Sequence, residues 1–152
     1  MQKFSIVAVV IFLLACSLAG VAQDTGYWRA SSNTAAKITG DIGINGSKLT
    51  LNFNVFPLAE VRTLKPDEVG SVFDVDVNAG YTGILYRVKV PAQRRFVHRN
   101  SLCGEEDTEW MATFAAGKTL QVAFFSGQAP PVFAMDAISN SQALCGTYTY
   151  VR

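Results

Sequence analysis

Hydrophobic and polar residues alternate along most of this chain after residue 37. Ile38, Gly40, Ile42 and Ile44 are interleaved with Thr39, Asp41 and Gly43. Leu49, Leu51, Phe53 and Val55 are interleaved with Thr50, Asn52 and Asn54. A period of two puts one set on each face of a pleated strand. Asn45-Gly46 separates the runs, and that pair readily takes the positive φ angles of a tight turn, so a hairpin is predicted. The pattern then changes. Leu58, Val61, Leu64 and Val69 have near-helical spacing, and Pro66-Asp67-Glu68 looks like a helix start. One or two short helical turns are expected over 57–70.

Alternation returns over Val72–Val77, with Phe73, Val75 and Val77 opposite Asp74 and Asp76. It returns again in Ile84, Tyr86, Val88 and Val90, opposite Arg87 and Lys89. A short strand is expected around Phe96-Val97. A second hairpin is expected from Glu109–Phe114 and Thr119–Phe125, joined through Ala116-Gly117-Lys118. Ser126–Pro131 reads as a loop, Met135–Leu144 as a short helix, and Thr147–Val151 as a last strand. The pattern predicts a mainly β fold. It is a single antiparallel β-barrel or β-sandwich of about seven to nine short strands with one or two short helices. No internal repeat or low-complexity segment interrupts it.

One apolar run does not alternate. Ile6 to Ala15 is unbroken, Lys3 precedes it, and Gly20-Val21-Ala22 offers small residues before Gln23. This is the layout of a secretory signal peptide cleaved after Ala22. A bilayer span wants roughly 20 apolar residues, and this run is shorter. The expected organisation is therefore a leader over 1–22 and one exported β-domain over 23–152. Its location is secreted or periplasmic. A second reading competes with this one. Leu13-Leu14-Ala15-Cys16 resembles a bacterial lipobox, which would make Cys16 a lipidated first residue and the protein a membrane-anchored lipoprotein.

Export changes how the charges and cysteines are read. Lys3 is the only charged side chain in the leader, so 12 basic and 12 acidic residues remain. A neutral chain lacks the basic footprint of a nucleic-acid binder. Membrane contact is expected only with lipidation at Cys16. Cys103 and Cys145 are the cysteines left, and an even count in an exported chain predicts one disulfide.

Gly26-Tyr27-Trp28 stands near the start of the domain, and the chain ends on Tyr150-Val151-Arg152. A Gly-x-Trp on a first strand with an Arg on the last resembles the pattern of calycins, the lipocalins and their relatives. The resemblance rests on Gly26, Trp28 and Arg152. It implies that Arg152 packs across Trp28 to close one end of a barrel, and that the barrel is a ligand-holding cup.

Candidate chemistry is thin. His98 is the single histidine, set among Arg95 and Arg99, and no Gly-x-Ser-x-Gly elbow supplies a nucleophile for it. Asp74, Asp76 and Asn78 present oxygen ligands at alternate positions, like part of a calcium loop, but the closing Gly and Glu are missing. No metal or cofactor is expected. The charge pattern is more distinctive. Arg87, Lys89, Arg94, Arg95 and Arg99 form a basic stretch, and Glu105, Glu106, Asp107 and Glu109 follow. Either the two blocks pair with each other or they form a bipolar surface that steers a charged partner. Phe125 and Phe133, with the Ser126–Phe133 loop, are read either as an exposed apolar patch beside that surface or as buried under the loop.

These features point to an exported, non-enzymatic binding or interaction protein of the envelope or extracellular space. Inhibition of a foreign hydrolase falls within that class. The candidate surface is Arg94, Arg95, Arg99, Glu105, Glu106, Phe125 and Phe133, and the partner is an unknown ligand or protein. The alternatives are an exported hydrolase using His98 or Asp74/Asp76, and a structural or adhesive surface component.

Overall fold

A computed structural model describes residues 23–152. The leader, its cleavage point and Cys16 lie outside the described residues. Eight strands form a closed antiparallel barrel, each paired with the next and the last with the first. They are β1 (Gly26–Ala30), β2 (Ile42–Asn45), β3 (Lys48–Leu51), β4 (Asn54–Leu64), β5 (Gly83–Val90), β6 (Thr108–Ala116), β7 (Thr119–Ser126) and β8 (Leu144–Val151). Two short α-helices accompany them, α1 (Pro66–Phe73) and α2 (Met135–Ser139). The barrel alternative is thus the one adopted.

Alternation explains the interior. Trp28, Ile42, Ile44, Leu49, Leu51, Phe56, Leu58, Tyr86, Val88, Met111, Leu120, Val122, Phe124, Tyr148 and Tyr150 all belong to one buried cluster. Each is at most 4% exposed. The interior is therefore filled with side chains, and the cup implied by the calycin resemblance is not open among the described residues.

A second core lies on the outer wall of β5, β6 and β7. Leu85, Trp110, Ala112, Phe114, Ala123 and Phe125 face outward and are covered by Val69, Val72 and Phe73 of α1, by Ile138 of α2, and by Phe133. These strands are buried on both faces, which is why Val122–Phe125 reads as a continuous apolar run rather than an alternating one. Apart from Leu64 at the end of β4, the outer face of β1 to β4 has no such layer among the described residues. Tyr27, Val55 and Val61 stand exposed there.

Several expected elements are redrawn. Ile38 and Thr39 belong to a short π-type turn over Ala35–Thr39, and β2 starts only at Ile42. The first hairpin turns on Gly46-Ser47, since Asn45 pairs with Lys48. The expected second strand is broken at Asn52-Phe53, where Leu51 pairs with Asn54. That turn shifts the frame by one face: Leu49 and Leu51 point inward, Val55 outward, and Phe56 inward.

The helical spacing of Leu58, Val61 and Leu64 is a strand with a register shift between Glu60 and Arg62. The extra residue moves Leu64 to the outer core while Leu58 faces inward. Pro66-Asp67-Glu68 does begin a helix, with Glu68 accepting from the Lys65 backbone N–H at 2.9 Å. Val72 and Phe73 are the end of that helix, not the start of a strand, and Asp74 ends it in the left-handed region at φ 53°. Phe96-Val97 opens into a 3₁₀ turn over Val97–Arg99 rather than a strand.

Candidate functional site

Antiparallel succession sorts the connections into two ends of the barrel. The terminal end carries Gln23–Thr25, the turns 46–47 and 117–118, segment 65–82 and Arg152. The loop end carries segments 31–41, 52–53, 91–107 and 127–143.

At the loop end, Cys103 and Cys145 form the expected disulfide, with Cα atoms 5.0 Å apart. It ties the 91–107 segment to the start of β8. Thr108 donates its hydroxyl to Cys103 Sγ at 3.1 Å. Asp107 accepts from the Ala92 backbone N–H at 2.8 Å, so the segment is pinned at both its ends. Arg94, Arg95, His98, Arg99, Glu105 and Glu106 are all exposed on it. The guanidinium of Arg94 lies 5.8 Å from the Phe56 ring centroid, and Phe56 meets Phe96 edge-on at 5.9 Å. Arg95 donates to the carbonyls of Ala92 and Arg94 at 2.6 and 3.2 Å.

The two charge blocks meet once. Arg87 pairs with Glu109, donates to the Gln128 carbonyl at 3.1 Å, and stacks 4.4 Å over Trp110. The other ion pair among the described residues is Arg62–Glu68, at 2.8 Å. Arg94, Arg95, Arg99, Glu105 and Glu106 are exposed on the same segment. The expected pairing of the two blocks is thus met at Arg87–Glu109, while the charges exposed on 91–107 make no ion pair with one another among the described residues.

Phe125 and Phe133 leave the candidate surface. Phe125 is 0% exposed and Phe133 nearly so, packed edge to face at 5.9 Å in the outer core. The reason is the two-sided burial of β7: Phe124 enters the barrel and Phe125 lies beneath α1, α2 and the 127–143 segment.

The aromatic that does project is Phe53, 86% exposed at the tip of the β3–β4 turn. Asn52 and Phe53 hold φ angles of 45° and 66°, both left-handed. His98 and Arg99 hold 52° and 61°. The two turns adjoin: Asn52 Oδ1 and Val97 Cγ2 both come within 3.4 Å of the position a Cβ would take on Gly40. A bulky residue at positive φ is an outlier that a surrounding fold must enforce. The signal hidden in the sequence was Asn52. A glycine beside it would have marked the turn; a phenylalanine masked it as strand.

His98 and the Asp pair do not meet. His98 sits at the loop end. Asp74 and Asp76 are exposed at the terminal end, beyond α1. Asp76 accepts from the backbone and side-chain N–H groups of Asn78 at 2.9 and 3.0 Å, capping the Val77–Ala79 turn. The Asp-x-Asp-x-Asn spacing is thus a helix end followed by a turn cap. Among the described residues, no three His, Cys, Asp or Glu side chains gather in metal-binding geometry.

At the terminal end, Arg152 lies 4.1 Å over the Trp28 ring and donates to the carbonyls of Thr25 and Gln23 at 3.1 and 3.3 Å. Trp28 donates to the Asp24 carbonyl at 2.8 Å. Tyr86 donates its hydroxyl to Asp24 Oδ2 at 2.8 Å, and Thr113 donates to the same oxygen. Burial first, then the Asp24 charge, hold the Tyr86 phenol well above the usual tyrosine range. Asp24 carries no mark in the sequence that distinguishes it as buried.

No family model matches this chain, and no curated protein or solved structure matches it. The site is accordingly read from its own chemistry. A filled barrel offers walls and rims rather than a chamber. No helix among the described residues is long and apolar enough to cross a membrane. The disulfide is compatible with an oxidising, exported compartment.

Proposed function

We propose that this chain is an exported, non-enzymatic interaction protein that engages a charged partner through its loop end. The observation that carries the reading is the pairing of an unneutralised rim with a strained, projecting aromatic. Arg94, Arg95, Arg99, Glu105 and Glu106 supply a field that orients a partner before contact. Phe53 supplies the apolar anchor, since aromatic side chains dominate the energetics of interface centres. The disulfide holds the rim in place, so little ordering entropy is lost on binding. The partner is an envelope or extracellular ligand or protein bearing complementary charge around an apolar recess. In this reading residues 1–22 are removed and the protein is soluble outside the cytoplasm.

Native mass spectrometry of protein isolated from its own compartment tests this. A partner mass released by high salt, and lost from both Phe53→Ala and Arg95→Glu, is expected. A partner retained by both variants would move the site elsewhere.

A second reading concerns descent. The eight-stranded succession, Gly26-x-Trp28 on β1 and Arg152 stacked on Trp28 support a distant relation to the calycins, with the cup filled in. Under that reading Arg152 closes the terminal end. Arg152→Ala then lowers stability by about 1–2 kcal/mol, and Arg152→Lys recovers little of it, because an ammonium lacks the planar stack and the fork of donors.

A further inference from the structure

Asp24 is 2% exposed, and its Oδ1 is a buried side-chain atom without a hydrogen-bond partner. The contrast with its other oxygen is sharp. Oδ2 accepts from the hydroxyls of Tyr86 on β5 and Thr113 on β6. Arg152, at the same end of the barrel, places its donors on the Gln23 and Thr25 carbonyls. Trp28 on β1 donates to the Asp24 carbonyl, not to its carboxylate. From β4, Glu60 adds a second negative charge near Tyr86. A buried carboxylate oxygen in these surroundings wants a cationic donor, and none of the strands packed against it provides one.

Gln23 is the adjacent residue, exposed and anchored through its carbonyl by Arg152. Cleavage after Ala22 would turn its backbone nitrogen into an α-ammonium, within one residue of the orphan oxygen. We infer that Asp24 is a built receptor for a primary ammonium, and that its ligand is the chain's own mature N-terminus at Gln23. The inference rests on the reading of residues 1–22 as a cleaved leader. It extends that reading, because it makes maturation complete the terminal end of the barrel.

The pairing has a chemical consequence. An N-terminal glutamine cyclises when its neutral α-amine attacks its own side-chain amide carbon. The new N–C bond forms, the amide C–N bond breaks, and ammonia leaves with the proton from the amine. Only the neutral amine is a nucleophile. An ammonium held against Asp24 Oδ1 stays protonated, and Gln23 stays open.

The full chain, exported with its own leader from a bacterial host, provides the test. Mass spectrometry of the N-terminal peptide should find uncyclised Gln23. Its α-amine should react with an acylating reagent about tenfold more slowly at neutral pH than an ordinary α-amine. The slow phase should persist above pH ~8, where a free α-amine is mostly neutral. Asp24→Asn should restore ordinary acylation and let Gln23 lose ammonia. The pH profile of the unmutated protein decides the matter even if that variant misfolds. A chain starting elsewhere, at a lipidated Cys16 for instance, would overturn the leader reading and this inference with it. A chain starting at Gln23 with an ordinary acylation profile, or already cyclised, would overturn the inference alone.

Discussion

Replacing the projecting aromatic with the smallest residue should make this protein more stable. Phe53 sits at φ 66° in the second position of a two-residue hairpin turn whose first position, Asn52, is at 45°. Both angles belong to the turn type that favours Asn-Gly. The left-handed region costs an ordinary L-residue about 1–2 kcal/mol, and glycine is spared that cost. Against this, glycine's extra freedom in the unfolded chain costs roughly 0.5–1 kcal/mol. Little burial is lost, because Phe53 is already 86% exposed. The net gain for Phe53→Gly is about 0.5–1 kcal/mol, or a rise in Tm of roughly 2–4 °C for a domain of about 130 residues. Phe53→Ala removes the same ring but keeps a Cβ, so it should be less stable than the glycine variant by about 1 kcal/mol. Paired thermal and urea melts of the three proteins measure both differences. If alanine proves as stable as glycine, the backbone at 53 is not strained, and the argument that the fold retains this ring for a partner loses its basis. Both variants should lose the partner equally, because both lack the ring.

Reducing the Cys103–Cys145 bond, which spans a sequence separation of 42, should cost about 4 kcal/mol by loop-entropy reasoning, seen as a fall of roughly 15 °C in Tm; a shift of only a few degrees would mean the reduced chain keeps the crosslink's order. Phe125→Ala opens a void in the outer core against Phe133 and should cost about 3–5 kcal/mol in urea unfolding, far more than an exposed phenylalanine would. Burial raises the phenols of Tyr86, Tyr148 and Tyr150, with Tyr148 pushed up to about 12. Their folded values lie above the unfolded one, so their contribution is complete below pH ~10 and fades as pH rises toward 12. Phenolate absorbance should therefore rise together with loss of the fold, and a full rise in a still-folded protein would contradict the burial.

The barrel was legible where its inner face recurs at every second residue. Tyr86, Val88 and Val90 of β5 and Tyr148 and Tyr150 of β8 keep the expected register because the barrel interior fixes which face turns in, and the β6–β7 hairpin turns at the expected Ala116-Gly117-Lys118. It was misread wherever the chain changed faces. The register shift at Glu60/Arg62 made a strand look like a helix, since one added residue turns a two-residue period into a near three-residue one. The Asn52-Phe53 turn was invisible because its second residue is a strand former held against its preference. The candidate surface divided for the same reason. Arg94, Arg95, Arg99, Glu105 and Glu106 lie exposed as their charge suggests. Phe125 was ambiguous, because a residue on the outer wall of a barrel is buried only if something distant in sequence covers it. Here that cover is α1, some fifty residues earlier in the chain, and α2. Asp24 was unreadable, as its burial depends on Trp28, Tyr86 and Thr113 at once.

The seam between β1 and β8 has a kinetic meaning. It rests on two register pairs, Arg29 with Val151 and Ala30 with Tyr150, whereas β6 and β7 are joined along their whole length. Its supports, Thr39 against the Tyr150 hydroxyl at 2.6 Å and Arg152 over Trp28, join opposite ends of the chain. Local hairpins can zip as they emerge, but the ring cannot shut until its eighth strand arrives. If the chain is exported as proposed, it would therefore remain an open, curling sheet for most of its passage through a translocation pore. The act of closure would come last, on the far side, where the cysteines can also be oxidised.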